Sequence, residues 1–339
     1  MTPTPGHQPT PTPSRPVVVL AGGSGFLGRS LADTLARDGY TPVILSRRPA
    51  PDGLTGPTRW VRWDPIRDAD RPPRPALLDA LRGTAGLVNL TGRSVDCRKT
   101  PVNVRAIMDS RIGSCATLGA ACAALADAAP PVWIQAATAH IVGDPLPLDR
   151  VCDEATPPGP PDEVAPAVGV AWERAFEANR LPTQRGVTLR ISFVLGPPNP
   201  GGRGALGRLG RLTRWGLGGT VGHGRQWMSW IHQQDLNRLI ILALTDPAYD
   251  GVYLTTAPEP VNNRTFMRAL RRAYRRPWSP PAPALGVRLA CRWLLRTDPE
   301  LALLGRRCVP TRLLDAGFAF AFPTLEPALR SIVRVRSTD

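Results

Sequence analysis

Short runs of apolar, mostly β-branched residues alternate along this chain with segments in which apolar residues recur every three or four positions. The first run covers residues 17–21 and is apolar throughout, which is typical of a buried β-strand. Leu27, Leu31 and Leu35 follow at helical spacing, and Gly39 stands where a helix commonly ends. The pattern therefore predicts a strand followed by an α-helix.

The same alternation continues to Gly196. Further strands are predicted at residues 43–45, 60–63, 87–90, 132–135 and 187–191, and helices at about 104–125 and 164–177. Glycine and proline dominate beyond Gly196, until a strand at 230–231, a helix from Asp235, a strand at 252–254 and a helix from Asn263 restore the alternation. Strands that alternate with helices indicate an α/β protein with a doubly wound parallel sheet, helices on both faces and a smaller C-terminal substrate-side domain.

Composition narrows the class of protein. The chain has 339 residues with 42% hydrophobic and 20% charged content, as in an ordinary globular protein. No apolar run approaches the roughly 20 residues that a membrane helix needs, so we expect a cytoplasmic protein without a membrane partner. The cysteines show no Cys-x-x-Cys pairing and the histidines no metal-ligand spacing, so no metal is expected.

The net charge of +15 raises the question of nucleic acid. Lys99 is the only lysine, so 41 of the 42 basic residues are arginines, and these are spread along the chain without a nucleic-acid-binding motif. We expect no nucleic-acid partner, although the charge alone leaves that interpretation open. The expected partner is a small-molecule substrate that the sequence does not name, and the sequence leaves the oligomeric state open.

A glycine-rich turn joins the first predicted strand to the first predicted helix. Gly22 allows a tight turn, Gly25 lets the backbone approach a pyrophosphate, and Gly28 lets the helix pack closely, in a segment that also includes Ser24, Phe26 and Leu27. The N–H groups that begin the helix would face the anion. A strand before the triplet and a helix after it are the context that a dinucleotide-binding motif requires.

The end of the second strand bears on the choice of dinucleotide. An NAD site usually places Asp or Glu there to bind the ribose 2′-hydroxyl, whereas this chain has Arg47 and Arg48 after Ser46. Guanidinium groups suit a 2′-phosphate. The sequence therefore favours NADP over NAD, with two solvated surface arginines as the alternative.

The chain resembles the short-chain dehydrogenase/reductase superfamily in its atypical extended branch, and within it the NAD-dependent epimerase/dehydratase-like proteins with a small C-terminal domain of unknown function. The resemblance runs from about Pro16 to Leu329. Its motifs are residues 22–28, Trp63-Asp64-Pro65, 88–92, 195–197, 224–232 with Asp235, 310–318 and 322–326. It implies a Rossmann domain at residues 16–196 that also receives 229–257, a substrate-side segment at 197–283 and the C-terminal domain at 284–335. Residues 1–15, rich in Pro and Thr, are predicted to be a disordered leader without the apolar core of a secretion signal.

Carried over residue by residue, the resemblance implies a cofactor site. Asp64 would lie near the adenine, and Ser192 and Phe193 near the nicotinamide. The turn near the ribose and pyrophosphate would consist of Asn89, Leu90, Thr91 and Gly92.

The proton-transfer pair of the superfamily is missing. Most members use Tyr-x-x-x-Lys, but this chain has no tyrosine between Tyr40 and Tyr249. The resemblance places the two positions at Val168 and Trp172. It also places Thr138 where a Ser or Thr helps to hold the substrate oxygen.

His140 is the candidate replacement for the missing acid/base, because imidazole titrates near neutrality. If the fifth strand continues through residue 140, Thr138 and His140 share one face at the nicotinamide end of the sheet. The alternative is a half-exposed histidine past the strand end.

Other candidates lie on the substrate side. Arg111 could bind an anionic substrate group or be a plain surface arginine, and the 216–224 loop with Arg225, Gln226 and Trp227 could be a lid or an ordinary mobile connection. His232 and Asp235 are expected to cap or pack a helix rather than to catalyse. Two main hypotheses result: an NADP-dependent oxidoreductase or epimerase with an unusual proton donor, and a dinucleotide-binding sensor or scaffold without turnover.

Overall fold

The computed structural model describes residues 15–50, 57–69, 71–144, 147–197, 205–295 and 297–335. All but the last residue of the leader predicted at 1–15 lies outside the described residues. The strands are β1 (Val17–Ala21), β2 (Thr41–Ser46), β3 (Arg59–Arg62), β4 (Gly86–Asn89), β5 (Val132–Thr138), β6 (Val151–Cys152), β7 (Arg185–Ile191), β8 (Phe193–Leu195), β9 (Trp227–Met228), β10 (Trp230–His232), β11 (Gly251–Thr255), β12 (Val261–Asn262) and β13 (Arg307–Cys308).

The α-helices are named in the same way. They are α1 (Phe26–Arg37), α2 (Pro75–Leu81), α3 (Pro101–Leu125), α4 (Val164–Asn179), α5 (Ala205–Arg214), α6 (Gln233–Thr245), α7 (Asn263–Ala273), α8 (Ala284–Ala290), α9 (Glu300–Leu303), α10 (Thr311–Asp315) and α11 (Leu325–Val335). A π-helical turn, Cys291–Leu295, continues from α8.

A seven-stranded sheet forms the centre of the molecule. Its strands follow the order β11-β7-β5-β4-β1-β2-β3, and every neighbouring pair is parallel. The strand order reverses between β1 and β4, because the chain leaves β1 toward β2 and later returns to pair β4 on the other side of β1. A crevice at the carboxyl ends of the strands beside such a reversal is where ligands bind in open α/β sheets.

Helices cover both faces of the sheet, as the apolar pattern predicted. One face packs against α1 and α6 through Leu31, Leu35, Leu239 and Ile240. The other packs against α2, α3 and α4, with the rings of Trp133 and Phe176 in edge contact at 5.3 Å. The doubly wound parallel sheet expected from the sequence is confirmed.

The C-terminal part of the chain packs on a separate apolar cluster and also joins the sheet domain. Leu325, Leu329 and Ile332 of α11 are buried with Phe266 and Leu270 of α7. The strand β13 pairs in parallel with β6, with Cys308 opposite Cys152. These contacts place the segment 297–310 beside the carboxyl end of β5. Within the described residues, no helix is long and apolar enough to cross a membrane.

The sequence expectation for the end of β5 is wrong. The strand stops at Thr138, and Ala139–Val142 forms a 3-10 turn in which the Thr138 hydroxyl accepts a hydrogen bond from the backbone N–H of His140 at 3.2 Å. Gly143 ends the turn with a φ of +67°, which glycine adopts without strain. Thr138 and His140 are therefore not alternate residues on one strand face.

Candidate dinucleotide site

The glycine turn has the geometry that close approach of a phosphate requires. Gly22 has a φ of +75°, and a Cβ added to Gly28 would stand 2.4 Å from the Cα of Gly23, so the helix lies directly on the turn. Gly25 is the N-cap of α1, and its lack of a side chain lets a ligand approach the start of that helix. The positive end of the helix therefore faces the crevice.

The turn after β4 lies against the glycine turn. A Cβ added to Gly22 would stand 3.0 Å from the carbonyl carbon of Leu90 and the backbone nitrogen of Thr91. Asn89 is fully buried: its amide donates to Ser114 and Gln135, and its oxygen accepts the Thr91 N–H at 3.1 Å. The Asn89 side chain thus shapes the turn from within, whereas the Thr91 hydroxyl is buried without a partner among the described residues.

Two exposed arginines stand beside the same crevice, at the end of β2. The Ser46 hydroxyl donates to the Ser24 hydroxyl at 2.9 Å and ties the end of β2 to the glycine turn. Arg47 and Arg48 follow with exposed side chains. At the end of β3, Asp64 accepts the backbone N–H of Ile66 at 3.1 Å and so holds its own turn.

Ser192, Phe193 and Thr138 lie at the carboxyl ends of neighbouring strands. Ser192 follows β7, and its hydroxyl donates to the carbonyl of Thr255 at 2.9 Å. Phe193 packs edge-on against Phe266 with ring centroids 6.0 Å apart. Because β5 and β7 pair with Thr138 opposite Ile191, Thr138 and Ser192 lie on adjacent strand ends.

His140 lies near charged residues that are distant from it in the sequence. Burial, and then the positive charges of Arg306 and Lys99, hold the pKa of His140 well below its usual value, so the imidazole is neutral at pH 7. Arg306 is buried and pairs with Asp144 at 2.6 Å, while its Nε and Nη1 have no partner among the described residues. Sequence reasoning missed Arg306 because no local pattern distinguishes it from 40 other arginines.

Packing residues stand where the resemblance places the proton-transfer pair. Val168 and Trp172 on α4 are both buried. The guanidinium of Arg111, on α3, lies over the ring of Trp172 with its Cζ 4.6 Å from the centroid. Arg111 is only 9% exposed, so the surface-arginine interpretation is wrong.

Arg225, Gln226 and Trp227 lie under the C-terminal segment. Arg225 is exposed, whereas the buried Gln226 amide donates to the carbonyls of Val221 and Ala302, both at 3.0 Å. Arg307 stacks over Trp227 at 4.7 Å. These contacts join Gln226 and Trp227 to residues 302–307.

His232 and Asp235 have structural roles, as expected. His232 is the N-cap of α6, and its Nδ1 accepts the Gln234 N–H at 3.1 Å. The Asp235 carboxylate is fully buried and accepts the backbone N–H groups of Ala321 at 2.7 Å and Phe322 at 3.0 Å. Both side chains therefore hold the C-terminal part of the chain against α6.

The residues of the crevice fit a dinucleotide. The helix α1 packs directly on the glycine turn at Gly28, the start of α1 faces the crevice, and the Thr91 hydroxyl lacks a partner among the described residues. A metal ion has no comparable support, because the described residues contain no group of three His, Cys, Asp or Glu side chains that could hold one.

The similarity to known proteins covers nearly the whole chain. A profile described as the NAD dependent epimerase/dehydratase family matches residues 18–254, and a domain of unknown function (DUF1731) matches residues 282–332. Epimerase family proteins from Mycobacterium bovis and Bos taurus are 32% and 31% identical, over 92% and 93% of this chain and 96% and 99% of theirs.

A solved structure gives the same picture. The human epimerase family protein SDR39U1, solved with NADPH, superposes with a TM-score of 0.76 at 27% identity, over 94% of this chain and 99% of that one. The family profile and the curated relatives agree with the parallel sheet and the glycine turn described above. The chain therefore belongs to the NAD dependent epimerase/dehydratase family and carries its dinucleotide-binding fold.

Proposed function

We propose that the protein binds NADP(H) and transfers hydride to or from a small carbonyl or hydroxyl substrate without a Tyr-x-x-x-Lys pair. The observation that carries the choice of NADP is the end of β2, where exposed Arg47 and Arg48 stand at the position of the carboxylate of NAD sites. Two guanidinium groups can donate charge-assisted hydrogen bonds to a 2′-phosphate. The human relative solved with NADPH supports the same choice.

Binding of NADPH and NADH tests this choice. In the R47Q/R48Q double variant we expect NADPH affinity to fall about tenfold to a hundredfold, since each lost charge-assisted bond weakens binding, while NADH affinity stays unchanged. Arg37 is an exposed arginine at the far end of α1, and R37Q is the matched control. Equal affinities for NADPH and NADH in the unaltered protein would refute the choice of NADP.

Thr138 and His140 are the residues proposed to take part in proton transfer. The Thr138 oxygen accepts a bond from the His140 backbone, which leaves the hydroxyl hydrogen to donate to a substrate oxygen. The proposed proton acceptor is the His140 imidazole, which is a weak base because burial and the charges of Arg306 and Lys99 hold its pKa well below the usual value. A bound nicotinamide supplies or receives the hydride in the same step, so the substrate gains or loses one proton and one hydride.

Variants at the two positions test their role. T138V and H140N should lower NADPH oxidation across a panel of carbonyl compounds by about 10²-fold or more while NADPH affinity is kept. A matched control is H223N, because His223 is exposed on the 216–224 loop. Unchanged turnover in both variants would remove Thr138 and His140 from the reaction.

A sensor or scaffold without turnover is the second candidate. The observation in its favour is the burial of Val168 and Trp172, because packing side chains at those two positions leave no titratable group there. On this hypothesis NADPH binds and stabilises the protein, yet no carbonyl or hydroxyl compound is converted. Measurable turnover of any member of the panel, abolished by T138V, would exclude it.

A further inference from the structure

The structure describes three buried arginines, and one of them differs from the other two in how its charge is balanced. Arg190 pairs with Glu173 at 2.8 Å and Arg306 pairs with Asp144 at 2.6 Å. For Arg111, no carboxylate among the described residues lies within ion-pair distance. Its Nη1 donates to the carbonyls of Arg93 at 3.1 Å and Ile107 at 3.0 Å, and its buried Nε has no partner among them.

A buried cation of this kind needs an anion or other strong acceptors to balance its loss of hydration. Burial lowers the pKa of Arg111 to about 10, so the guanidinium still carries its charge at neutral pH. The protein supplies two carbonyl oxygens and the face of Trp172, which together leave part of the guanidinium unsatisfied. A bound molecule with phosphate or hydroxyl oxygens can supply the remaining acceptors.

The position of Gly92 shows where that molecule would sit. A Cβ added to Gly92 would stand 3.2 Å from the Cζ and 3.3 Å from the Nη2 of Arg111. Because Gly92 has no side chain, the space beside this guanidinium is open to a ligand. Gly92 belongs to the turn after β4, which lies against the glycine turn at Gly22. The guanidinium of Arg111 therefore lies beside the turn that borders the crevice.

Trp172 on α4 supports the Arg111 guanidinium. The Cζ of Arg111 lies 4.6 Å from the centroid of the Trp172 ring, which stands at the position where the resemblance places the lysine of the missing pair.

We propose that Arg111, supported by Trp172, binds the nicotinamide ribose–phosphate half of the dinucleotide, through the oxygen atoms of its phosphate and ribose. This assignment rests on the proposed function, since it requires that the crevice bind NADP(H). It makes Arg111 a cofactor-binding residue and replaces the sequence-based hypothesis of an anionic substrate group at this position.

Two ligands distinguish the assignment from a general effect on binding. NADPH carries both halves of the dinucleotide, whereas adenosine 2′,5′-bisphosphate carries only the adenosine half with its 2′- and 5′-phosphates. In the R111Q variant we expect NADPH affinity to fall about tenfold to a hundredfold and the affinity for adenosine 2′,5′-bisphosphate to stay within about twofold of the unaltered protein. The exposed Arg105 lies on the same helix, and R105Q should change neither affinity.

Each outcome of the experiment decides something. If R111Q and the unaltered protein bind NADPH equally, the assignment of Arg111 is wrong while the proposed function stands. An equal loss for both ligands also overturns it, because a general disturbance of the site would weaken both. If the unaltered protein binds neither ligand, the proposed function itself fails.

A second variant covers the case in which R111Q does not fold. R111K keeps the charge and most of the packing but loses the planar fork that binds two oxygens at once. We expect a loss of about threefold to tenfold for NADPH and no change for adenosine 2′,5′-bisphosphate. An unchanged NADPH affinity in a folded R111K protein would count against the assignment.

Discussion

At the scale of single residues, the most constrained side chains are polar groups that have been buried with their partners. His232 is an example: its Nδ1 accepts the Gln234 N–H, its Nε2 lies 3.2 Å from the Ser331 hydroxyl, and its ring stacks on Phe322 at 3.9 Å. A proton on Nδ1 would point at the backbone N–H of Gln234, from which Nδ1 now accepts a hydrogen bond. Burial accordingly lowers the pKa of His232 to about 4.

This lowered pKa predicts how stability depends on pH. An unfolded chain binds a proton at His232 below pH 6.5, whereas the folded protein does so only near pH 4, so the free energy of unfolding falls as the pH drops through that window. The loss attributable to His232 reaches about 3 kcal/mol. In H232N, which keeps an N-capping oxygen, urea unfolding between pH 7 and 4.5 should show a shallower decline. An identical decline in both proteins would contradict the prediction.

The Arg190–Glu173 pair gives a second residue-scale prediction. The guanidinium of Arg190 on β7 makes two hydrogen bonds, of 2.8 and 2.9 Å, to the carboxylate of Glu173 on α4. Removing one partner leaves a buried charge, so E173A should lower the free energy of unfolding by about 3–5 kcal/mol, whereas E173A/R190M should be much less affected. Chemical denaturation of the four proteins of this double-mutant cycle measures the coupling. Additive losses would show that the pair contributes nothing specific.

At the scale of secondary-structure elements, the contact between α1 and the glycine turn is the tightest backbone approach in the cofactor crevice. An alanine at Gly28 would place its Cβ 2.4 Å from the Cα of Gly23, a contact that backbone movement alone can relieve. We expect G28A to lower the free energy of unfolding by about 1–3 kcal/mol and to weaken NADPH binding.

Gly286 provides the matched control for that change. It lies inside α8, and an added Cβ would meet nothing within 4 Å. Because alanine favours helix, G286A should raise the free energy of unfolding by about 0.5–1 kcal/mol. Thermal unfolding with and without NADPH compares the two variants, and equal effects would show that the tight contact at Gly28 does not matter.

The elements of the sheet domain are also where the sequence was most informative. All seven strands of the central sheet were predicted from short runs that are mostly apolar, although β3 has an arginine at each end. The end of β5 was not, since it depends on the Thr138 hydroxyl capping a turn and on the positive φ of Gly143. Local pattern shows where a buried strand lies, but a capping bond decides where it stops.

The functional site also has one part that the sequence predicted and one part that it did not. The cofactor-binding turn was readable, because its glycines and helix form one continuous segment. The partners of the buried arginines could not be predicted, because Arg306 contacts Asp144 and Arg111 contacts Trp172 only after the chain has folded. In a chain whose basic residues are nearly all arginine, residue type cannot separate these two from solvated arginines.

At the scale of the whole molecule, the net charge of +15 comes from arginines that are spread along the chain without a nucleic-acid-binding motif. Several arginines donate to backbone carbonyls within the protein: Arg185 to Tyr249, Arg238 to Ala319, and Arg312 to Val252. Binding to a DNA duplex should therefore be weak, and the logarithm of its affinity should fall with a shallow slope against the logarithm of salt concentration. Fluorescence anisotropy over a salt series measures the slope. A steep slope, with tight binding at 200 mM salt, would restore the nucleic-acid interpretation.

The C-terminal segment gives the prediction that concerns the molecule as a whole. Residues 284–335 supply Leu325, Leu329 and Ile332 to the cluster around Phe266, and they also supply β13, which pairs with β6. Without them, α7 would expose its apolar face and one sheet face would lose Leu313 and Phe318, while the rest of the two sheet-face clusters would remain. We expect residues 1–283 alone to bind a hydrophobic dye, to aggregate and to unfold at a lower temperature than the full chain.

Full-length L329D is the companion variant, because it places a charge in the same cluster without removing β13. It should reproduce the lowered unfolding temperature if packing on α7 is the cause. A shortened protein that unfolds cooperatively at the temperature of the full chain would show instead that the sheet domain is stable without this segment. The fold would then depend on the two sheet-face clusters alone, and the C-terminal segment would act only at the substrate side.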